Sequence, residues 1–271
     1  MQVAQLNLSC ELNHWIHTCS MIKSDNFLDF VPQTVGFPEA TPELVLLLEG
    51  ELKILYDNQT YLVRNSCFFT FIDKPIVIIP SSRVHLIKIT FRSFGVFPIK
   101  QLSSISAGEL TGCPVVDAHT ALGYDCKLLE DKIYSSKTIV EIEGHLSEFL
   151  VKRFNSSDLE YLDRAILNQT GTGIYSVDDL CSMLCVTPRT LQRWFAQNMD
   201  ISPKLYLKLI RLKSLIDDLS IATQRTNYTA LALKNGFYDQ NHMIKEIKQF
   251  TCQTPKMINF ESYLPVQLIE I

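Results

Sequence analysis

The segment TPRTLQRWFAQNMDISP, residues 187–203, decides the fold of the last hundred residues. Thr187 and Ser202 each precede a proline, and this pair combines an N-cap side chain with the residue best suited to a first helical turn. Upstream, Ser176 is followed three residues later by an acid, which is a capping-box pattern. These starts predict two short helices meeting at a three-residue corner, 185–187, which is the spacing of a helix-turn-helix unit.

A second copy of this pattern follows about fifty residues later. The copies align at an offset of 51 residues before the turn and 52 after it. The aligned positions are Cys181, Cys185, Leu191, Phe195, Ser202 and Pro203 with Ala232, Gly236, Met243, Ile247, Thr254 and Pro255. The second turn, 237–239, is therefore one residue longer. A helix from about Pro203 to Ile221 would join the units and span roughly 28 Å, comparable with the roughly 34 Å between successive major grooves on one face of DNA.

Charge is unevenly distributed along the chain. The net charge of −4 falls within the first 157 residues, and the remainder is formally neutral. Within that neutral part, six basic side chains face a single acid, Asp200, between positions 189 and 213. They are Arg189, Arg193, Lys204, Lys208, Arg211 and Lys213. This basic cluster coincides with the first predicted unit, as contact with DNA phosphates requires.

With Arg211-Leu212 and the segment ALKNGFYDQNHMIKEIKQFTCQTP, residues 232–255, the stretch 187–203 resembles the AraC-type (arabinose-operon regulator) DNA-binding domain. The resemblance covers residues from about 158 to 260. It implies a bacterial transcription regulator that binds double-stranded DNA, and an activator would also contact RNA polymerase. In many members the N-terminal domain is cupin-like and binds an effector or mediates dimerisation. We therefore expect a protein that is not an enzyme and has no cofactor and no metal.

Members of this family contact bases with the exposed faces of the third and sixth helices of the domain. Carried over position by position, the resemblance assigns DNA contact to Arg189, Gln192 and Arg193 in the first unit, and to Gln240, Asn241, Ile244 and Lys245 in the second. Arginine can donate two hydrogen bonds to guanine, and glutamine can bridge the polar edge of adenine. A merely solvated polar helix face is the alternative, and it weighs more heavily on the second set.

The chain departs from the family pattern at four positions. The family usually has glycine where this chain has Asp200 and Cys252, and phenylalanine where it has Met243 and Ile247. The apolar exchanges keep a hydrophobic wedge of similar volume. Loss of a C-cap glycine either forces the new residue into a left-handed conformation or changes the turn. We therefore expect the second unit to discriminate less between bases.

The sequence from Trp15 to Phe97 has the pattern of short strands. β-Branched and aromatic runs alternate with turn residues, and Asp57-Asn58 predicts a tight hairpin. The predicted strands are 44–55, 59–63, 68–72, 76–79 and 84–91. Such spacing is typical of a sandwich or small barrel. The fold class we predict is α+β: a cupin-like barrel with helices, followed by an all-α tandem helix-turn-helix domain.

Between these regions, apolar residues recur at helical intervals. They are Ile139, Ile142, Leu146, Phe149 and Leu150, and they form one stripe. The stripe packs either on the barrel or on its twin in a homodimer, and both alternatives stay open. A polar linker, 155–157, then divides the chain into domains 1–155 and 158–262.

A small closed barrel offers an internal cavity for a small-molecule effector. The side chains available to line it are Tyr56, Tyr61, Arg64, Phe69, Phe71, Arg83 and His85. A filled barrel that serves only dimerisation is the alternative.

A different class of function, a cupin-type enzyme or a metal or redox sensor, would leave the C-terminal tandem unexplained. The six histidines are scattered and do not form the HxH and Glu pattern of metal-binding cupins. Cys181 and Cys185 lie four residues apart, but they align with Ala232 and Gly236, which favours small packing residues over a pair of metal ligands.

The chain carries no sign of export or of a membrane helix. Residues 1–15 lack a basic start and an unbroken apolar run, and apolar runs elsewhere are far shorter than the roughly 20 residues that a membrane helix needs. The eight cysteines form no CxxC pair. Reduced thiols in a cytoplasmic protein are the expectation.

Overall fold

The structure is a computed structural model, and it has an N-terminal β-rich part followed by helices. It describes residues 2–25, 34–36, 38, 41–81, 83–92, 113–153, 176–198, 201–221 and 227–258. The predicted linker 155–157 and the boundary between the two predicted domains lie outside these residues. The predicted α+β class is confirmed.

Ten strands form two antiparallel sheets. The strands are β1 Gln2–Gln5, β2 Ile16–Ser24, β3 Thr34–Gly36, β4 Glu43–Glu49, β5 Leu52–Tyr56, β6 Gln59–Val63, β7 Cys67–Phe69, β8 Ile76–Pro80, β9 Val84–Phe91 and β10 Val115–Asp117. The larger sheet has the order β1-β2-β9-β4-β7-β10, and the smaller has the order β3-β8-β5-β6. Strands β1, β3 and β10 were not predicted, because each is only three or four residues long. Strand β2 has nine residues and lies in the region 15–97 that was predicted to form strands, but it was not among the individual strands predicted.

Two turns set the strand register. The predicted hairpin is confirmed: Asp57 and Asn58 have φ of 49° and 60°, and they join Tyr56 to Gln59 in the two-residue turn that strand twist favours. The predicted strand 44–55 is two strands instead, because Gly50 turns the chain between β4 and β5. Gly50 has φ of +92°, and a Cβ there would lie 2.2 Å from the carbonyl oxygen of Arg83, so no side chain fits.

Strand β4 is buried on both faces. Leu44 and Leu46 belong to the cluster that packs under the helices, whereas Val45 and Leu47 belong to the cluster between the two sheets. Because neighbouring strand residues point to opposite faces, a strand buried on both sides has to be apolar throughout. This explains the unbroken apolar run in β4, which lies at the centre of the N-terminal part.

Three helices cover the outer face of the larger sheet. They are α1 Ala118–Leu122, α2 Tyr124–Ser135 and α3 Ile139–Val151. Helix α1 begins where the Asp117 carboxylate accepts the backbone N–H of Thr120 at 2.7 Å. Sequence analysis noted helical spacing in this region but did not predict α1 or α2.

The apolar stripe from Ile139 to Leu150 forms helix α3, as predicted. Leu146, Phe149 and Leu150 are buried within the chain, where α3 packs against α2 and the 3-10 turn Cys10–Leu12. Ile139 is 44% exposed. The inner part of the stripe therefore packs within the chain, which answers the alternative left open for it.

The described residues of the C-terminal part form five helices. They are α4 Val177–Leu184, α5 Pro188–Asn198, α6 Pro203–Ser220, α7 Tyr228–Lys234 and α8 Gln240–Thr251. The long helix α6 packs against α4, α5 and α7, so it forms the shared core of both units. Within the described ranges, no helix combines the length and the apolar character needed to cross a membrane.

The packing of α3 generates a stability prediction. Leu146→Ala removes a side chain with 0% exposure, and the cavity should lower the free energy of unfolding by about 2–5 kcal/mol. Ile139→Ala, on the exposed start of the same helix, should change it by less than about 0.5 kcal/mol. Urea denaturation of both variants, followed by circular dichroism, measures the difference. Equal effects would contradict the burial of the inner stripe.

Candidate DNA-binding interface

The first helix-turn-helix unit is built by its capping side chains. Ser176 Oγ accepts the backbone N–H of Asp179 at 3.1 Å, and Thr187 Oγ1 accepts that of Thr190 at 3.2 Å. Cys185 ends α4 in the left-handed conformation, with φ of 53°. The predicted helix starts and the three-residue corner are therefore confirmed.

Helix α5 presents one polar face to solvent and one apolar face to the core. Arg189, Gln192 and Arg193 are exposed, whereas Leu191 and Phe195 are buried. The three polar residues lie three and four positions apart, so they share one face of the helix. That arrangement lets them enter a major groove together.

Aromatic packing fixes the orientation of α5. The ring of Phe195 packs edge to face against Tyr206 of α6 and against Trp194, each at 5.4 Å between centroids. Trp194 is half-buried and packs against the core.

The second unit repeats this construction. Asn227 Oδ1 accepts the backbone N–H groups of Thr229 and Ala230, each at 3.1 Å, and Asp239 Oδ1 accepts that of His242 at 2.7 Å. Gly236, with φ of 71°, occupies the same left-handed position as Cys185. The turn from Gly236 to the N-cap Asp239 is one residue longer than in the first unit, as predicted.

The buried side of α8 also follows the prediction. Met243 and Ile247 both have 0% exposure and form the expected hydrophobic wedge. Cys252 ends the helix with φ of 59°, so it adopts the left-handed conformation expected where glycine is replaced. The other predicted replacement, Asp200, lies outside the described residues.

The four residues assigned to DNA contact on α8 are not equally available. Asn241 and Lys245 are exposed. Gln240 is half-buried, and its side-chain oxygen accepts the Thr229 hydroxyl at 3.2 Å. Ile244 is half-buried and packs against the core. The exposed polar face of α8 is therefore smaller than that of α5.

A buried carboxylate takes two residues out of the predicted basic cluster. Glu246 of α8 is 5% exposed, and its oxygens lie 3.9 Å from Lys208 Nζ and 3.7 Å from Arg211 Nε. Arg211 also donates to the carbonyl of Gly236 at 3.3 Å. These contacts connect α6 to the second unit, so the charges of Lys208 and Arg211 are partly neutralised within the protein. Arg189, Arg193 and Lys204 remain exposed, and Lys213 is half-buried.

Sequence analysis missed the burial of Glu246. The available signal was the pair of cations on α6, which could only be matched to Glu246 once the two helices were known to pack together.

The cysteines of α4 do not form a ligand pair. Cys181 is buried, whereas Cys185 is exposed at the left-handed end of the helix. Cys181 is a small core residue, as predicted. Cys185 fills a position that requires a left-handed conformation, which explains its alignment with Gly236 better than close helix crossing does.

The structure does not bring the predicted effector-binding residues into one pocket. Tyr56, Tyr61 and Phe69 pack in or against the cluster between the sheets, and Phe71 packs against the other cluster. Arg64 and Arg83 are exposed, where Arg64 pairs with Glu51 at 3.0 Å and Arg83 with Glu49 at 3.4 Å.

His85 is half-buried on β9, on the same strand face as Ile87 and Ile89, and that face packs under the helices. Burial and the neighbouring charge of Lys23 lower the pKa of its imidazole. His85 therefore faces away from the space between the sheets.

An ion pair between the sheets was missed instead. Lys88 Nζ lies 3.2 Å from Glu43 Oε1, which also accepts the Thr90 hydroxyl at 3.0 Å, and both charged side chains are nearly buried. Lys88 lies two residues from Leu86 on β9, and Glu43 lies two residues from Val45 on β4. Residues two apart on a strand share a face, so all four side chains point into the space between the sheets. The sequence feature that could have indicated this ion pair is a charged residue at an inward-facing position of each apolar strand.

A second polar cluster was missed on the helices. His119, Cys126 and Glu130 bring an imidazole nitrogen, a thiol sulfur and a carboxylate oxygen within 4.8 Å of one another. Sequence analysis expected no metal and judged the histidines scattered. The sequence feature that could have indicated this cluster is the spacing of Cys126 and Glu130, which lie four residues apart on one helix.

Comparison with known protein families supports the architecture of the C-terminal helices. Residues 180–258 match the family described as "Helix-turn-helix domain". No curated protein matches the chain. ToxT from Vibrio cholerae is similar at 13% identity and a TM-score of 0.46, over 88% of this chain and 95% of ToxT. The AraC-like transcriptional activator CuxR is similar at 14% identity and a TM-score of 0.27, over 80% of this chain and 85% of CuxR.

The fold and the interface define a DNA-binding protein with two helix-turn-helix units in tandem behind a β-rich domain. The family match covers both units, from α4 to the residues after α8. The predicted resemblance of the C-terminal part to the AraC-type DNA-binding domain is confirmed, because residues 180–258 match this type of helix-turn-helix domain.

The left-handed cysteine at the end of α8 generates a second stability prediction. Cys252→Gly should raise the free energy of unfolding by about 1 kcal/mol, because glycine adopts this conformation without the steric cost of a Cβ. Cys10→Gly is the matched control: Cys10 is also exposed but has no positive φ, so glycine there should be neutral or destabilising. Thermal unfolding of both variants decides between them, and stabilisation by Cys10→Gly alone would refute this account.

Proposed function

We propose that this protein is a sequence-specific transcription regulator in which helix α5 is the principal recognition helix. The single observation that carries the proposal is the shared exposed face of Arg189, Gln192 and Arg193, held outward by buried Leu191 and Phe195. Arginine and glutamine are the side chains best suited to guanine and adenine in the major groove. Helix α8, through Asn241 and Lys245, adds contacts that depend less on sequence.

We further propose the division into an N-terminal domain, 1–155, and a DNA-binding domain, 158–262. The proposal is supported by the main packing contacts of the described residues: the strands pack with one another and with α1 and α2, α3 packs against α2, and α4, α5 and α7 pack around α6. Such parts fold independently when few contacts cross between them.

The domain proposal is tested by expressing residues 158–271 alone. The fragment should show helical circular dichroism and a cooperative thermal transition, because α6 supplies a shared core to both units. A fragment that is unfolded at concentrations where the full chain is folded would place the boundary elsewhere.

The N-terminal domain is proposed to control the DNA-binding domain. A small-molecule effector would bind between the two sheets, where the Lys88 and Glu43 pair supplies charge and Tyr56 supplies an aromatic wall. A buried ion pair is costly to maintain, which is why such pairs are functional candidates. Homodimerisation, contact with RNA polymerase by an activator, and a cytoplasmic location belong to the same proposal.

Regulation through binding is preferred to catalysis. The predicted alternative was a cupin-type enzyme or a metal or redox sensor, and an enzyme would leave the two recognition helices without a role. We therefore propose that the chain is not an enzyme.

The function is tested by comparing Arg193→Ala with Lys245→Ala on matched and single-base-changed duplexes. Arg193→Ala should cost about 1–3 kcal/mol on the specific site and relax base preference at one position, because a bidentate guanine contact is lost. Lys245→Ala should weaken binding to all sequences evenly and lower the salt slope by about one unit, because a phosphate contact is lost. Fluorescence anisotropy at several salt concentrations measures both.

Two exposed residues of the N-terminal domain serve as matched controls. Arg64→Ala and Lys53→Ala remove the same charges far from the recognition helices in sequence, and DNA affinity should stay within twofold of the unmodified chain. If Arg193→Ala leaves base preference unchanged, α5 is not the principal recognition helix.

A further inference from the structure

A compact cluster of ligand-type side chains lies where the helices of the N-terminal domain meet the larger sheet. His119 comes from α1, and Cys126 and Glu130 lie one turn apart on α2, so they face the same way. The cluster lies outside the core between the sheets. Arg189, Gln192 and Arg193 on α5 are not part of the cluster.

The three side chains already touch through the carboxylate of Glu130. Its two oxygens lie 2.9 and 2.8 Å from Nε2 of His119, and Oε1 lies 4.0 Å from Sγ of Cys126. The Ser66 hydroxyl donates a short hydrogen bond to the same oxygen, Oε1. Four potential ligand groups therefore surround one point.

The cluster is held by backbone contacts rather than by loose side chains. Ser66 is fully buried, its Oγ accepts the backbone N–H of Leu47 at 3.0 Å, and its carbonyl accepts that of Ala118 at 2.8 Å. Asp117 caps the helix that carries His119. Such outer contacts orient the ligands of metal sites before the ion binds.

Among the described residues, no permanent cation forms an ion pair with Glu130. Its side chain is 13% exposed, and no lysine or arginine of the described chain forms an ion pair with it. Only His119 pairs with it, and imidazole is cationic only when protonated. A buried carboxylate is normally paired with a cation or coordinates a metal, and the cluster supplies no permanent cation of its own.

We propose that His119, Cys126 and Glu130 bind a divalent metal ion of the zinc type, with the fourth position taken by Ser66 Oγ or water. Imidazole nitrogen, thiolate sulfur and carboxylate oxygen are all accepted ligands of Zn²⁺. Ligand atoms around a tetrahedral zinc lie about 3.3–3.7 Å apart, so the observed separations, all below 4.8 Å, close on the ion with small side-chain shifts.

Binding releases one proton. Burial, followed by the carboxylate of Glu130, raises the pKa of the Cys126 thiol to about 12, so the side chain is a neutral thiol without the ion. The metal forms the bond to sulfur, and the thiol proton leaves to solvent. The ion then replaces the missing positive charge beside Glu130.

The consequence is a link between the helices and β4. The ion would join α1 to α2, and Ser66 would connect that corner to the backbone of Leu47 at the centre of the larger sheet. The N-terminal domain would thus be stabilised by metal, independently of whether α5 contacts DNA.

The test uses the full chain, stripped with a chelator and titrated with Co²⁺ as a spectroscopic substitute for Zn²⁺. We expect one equivalent to bind and produce the near-ultraviolet absorption of a cobalt–thiolate bond. Added Zn²⁺ should remove this band and raise the Tm of the chain, because an ion that binds only the folded state stabilises it.

Variants locate the site. Cys126→Ser should abolish the thiolate band, and His119→Gln, a change at a partly exposed residue that is expected to fold, should weaken Co²⁺ binding by at least about 100-fold. Cys19→Ser is the matched control, because Cys19 is a buried thiol of the same domain, and the band should persist. Absence of stoichiometric Co²⁺ binding to the stripped chain, or a thiolate band that survives in Cys126→Ser, would overturn the proposal.

Discussion

The direction in which the first recognition helix faces depends on the burial of Phe195 against Tyr206. Helix α5 is only three turns long, and isolated helices of that length are marginal in water. Its position is therefore set by the side chains that it places under α6. The same contact that removes Phe195 from water turns Arg193 outward, so the stability of the C-terminal part and its binding face have a common origin.

Helix α6 extends this constraint to the second unit. Its cations Lys208 and Arg211 surround the carboxylate of Glu246, and Arg211 also lies over the ring of Phe237, with its guanidinium carbon 5.1 Å from the ring centre. Leaving any member of this group unpaired in a nearly buried position would be costly. The second recognition helix is thus fixed by charge where the first is fixed by aromatic packing.

Local features of both parts were predictable from sequence, because capping residues, turns and periodicity act over a few neighbouring positions. Thr187, Ser202 and the hairpin at Asp57 are examples. Features that join distant segments were not predictable. Glu246 and Arg211 are 35 residues apart in the sequence, and Lys88 and Glu43 are 45 apart, so no short sequence pattern predicts either contact. The predicted effector residues lie on different faces for a related reason: β9 is buried on both faces, and alternation alone did not say which face His85 shares.

The length of α6 has a consequence for the DNA itself. Eighteen helical residues span about 27 Å, whereas successive major grooves on one face of straight B-DNA are about 34 Å apart. A helix packed against both units and pinned through Glu246 cannot stretch to close that gap. If α5 and α8 both bind one face of the duplex, as proposed, a duplex that curves toward the protein would bring its successive major grooves closer to the span of α6. Operators with flexible pyrimidine–purine steps between the two contacted segments would then be favoured, although no side chain touches those bases.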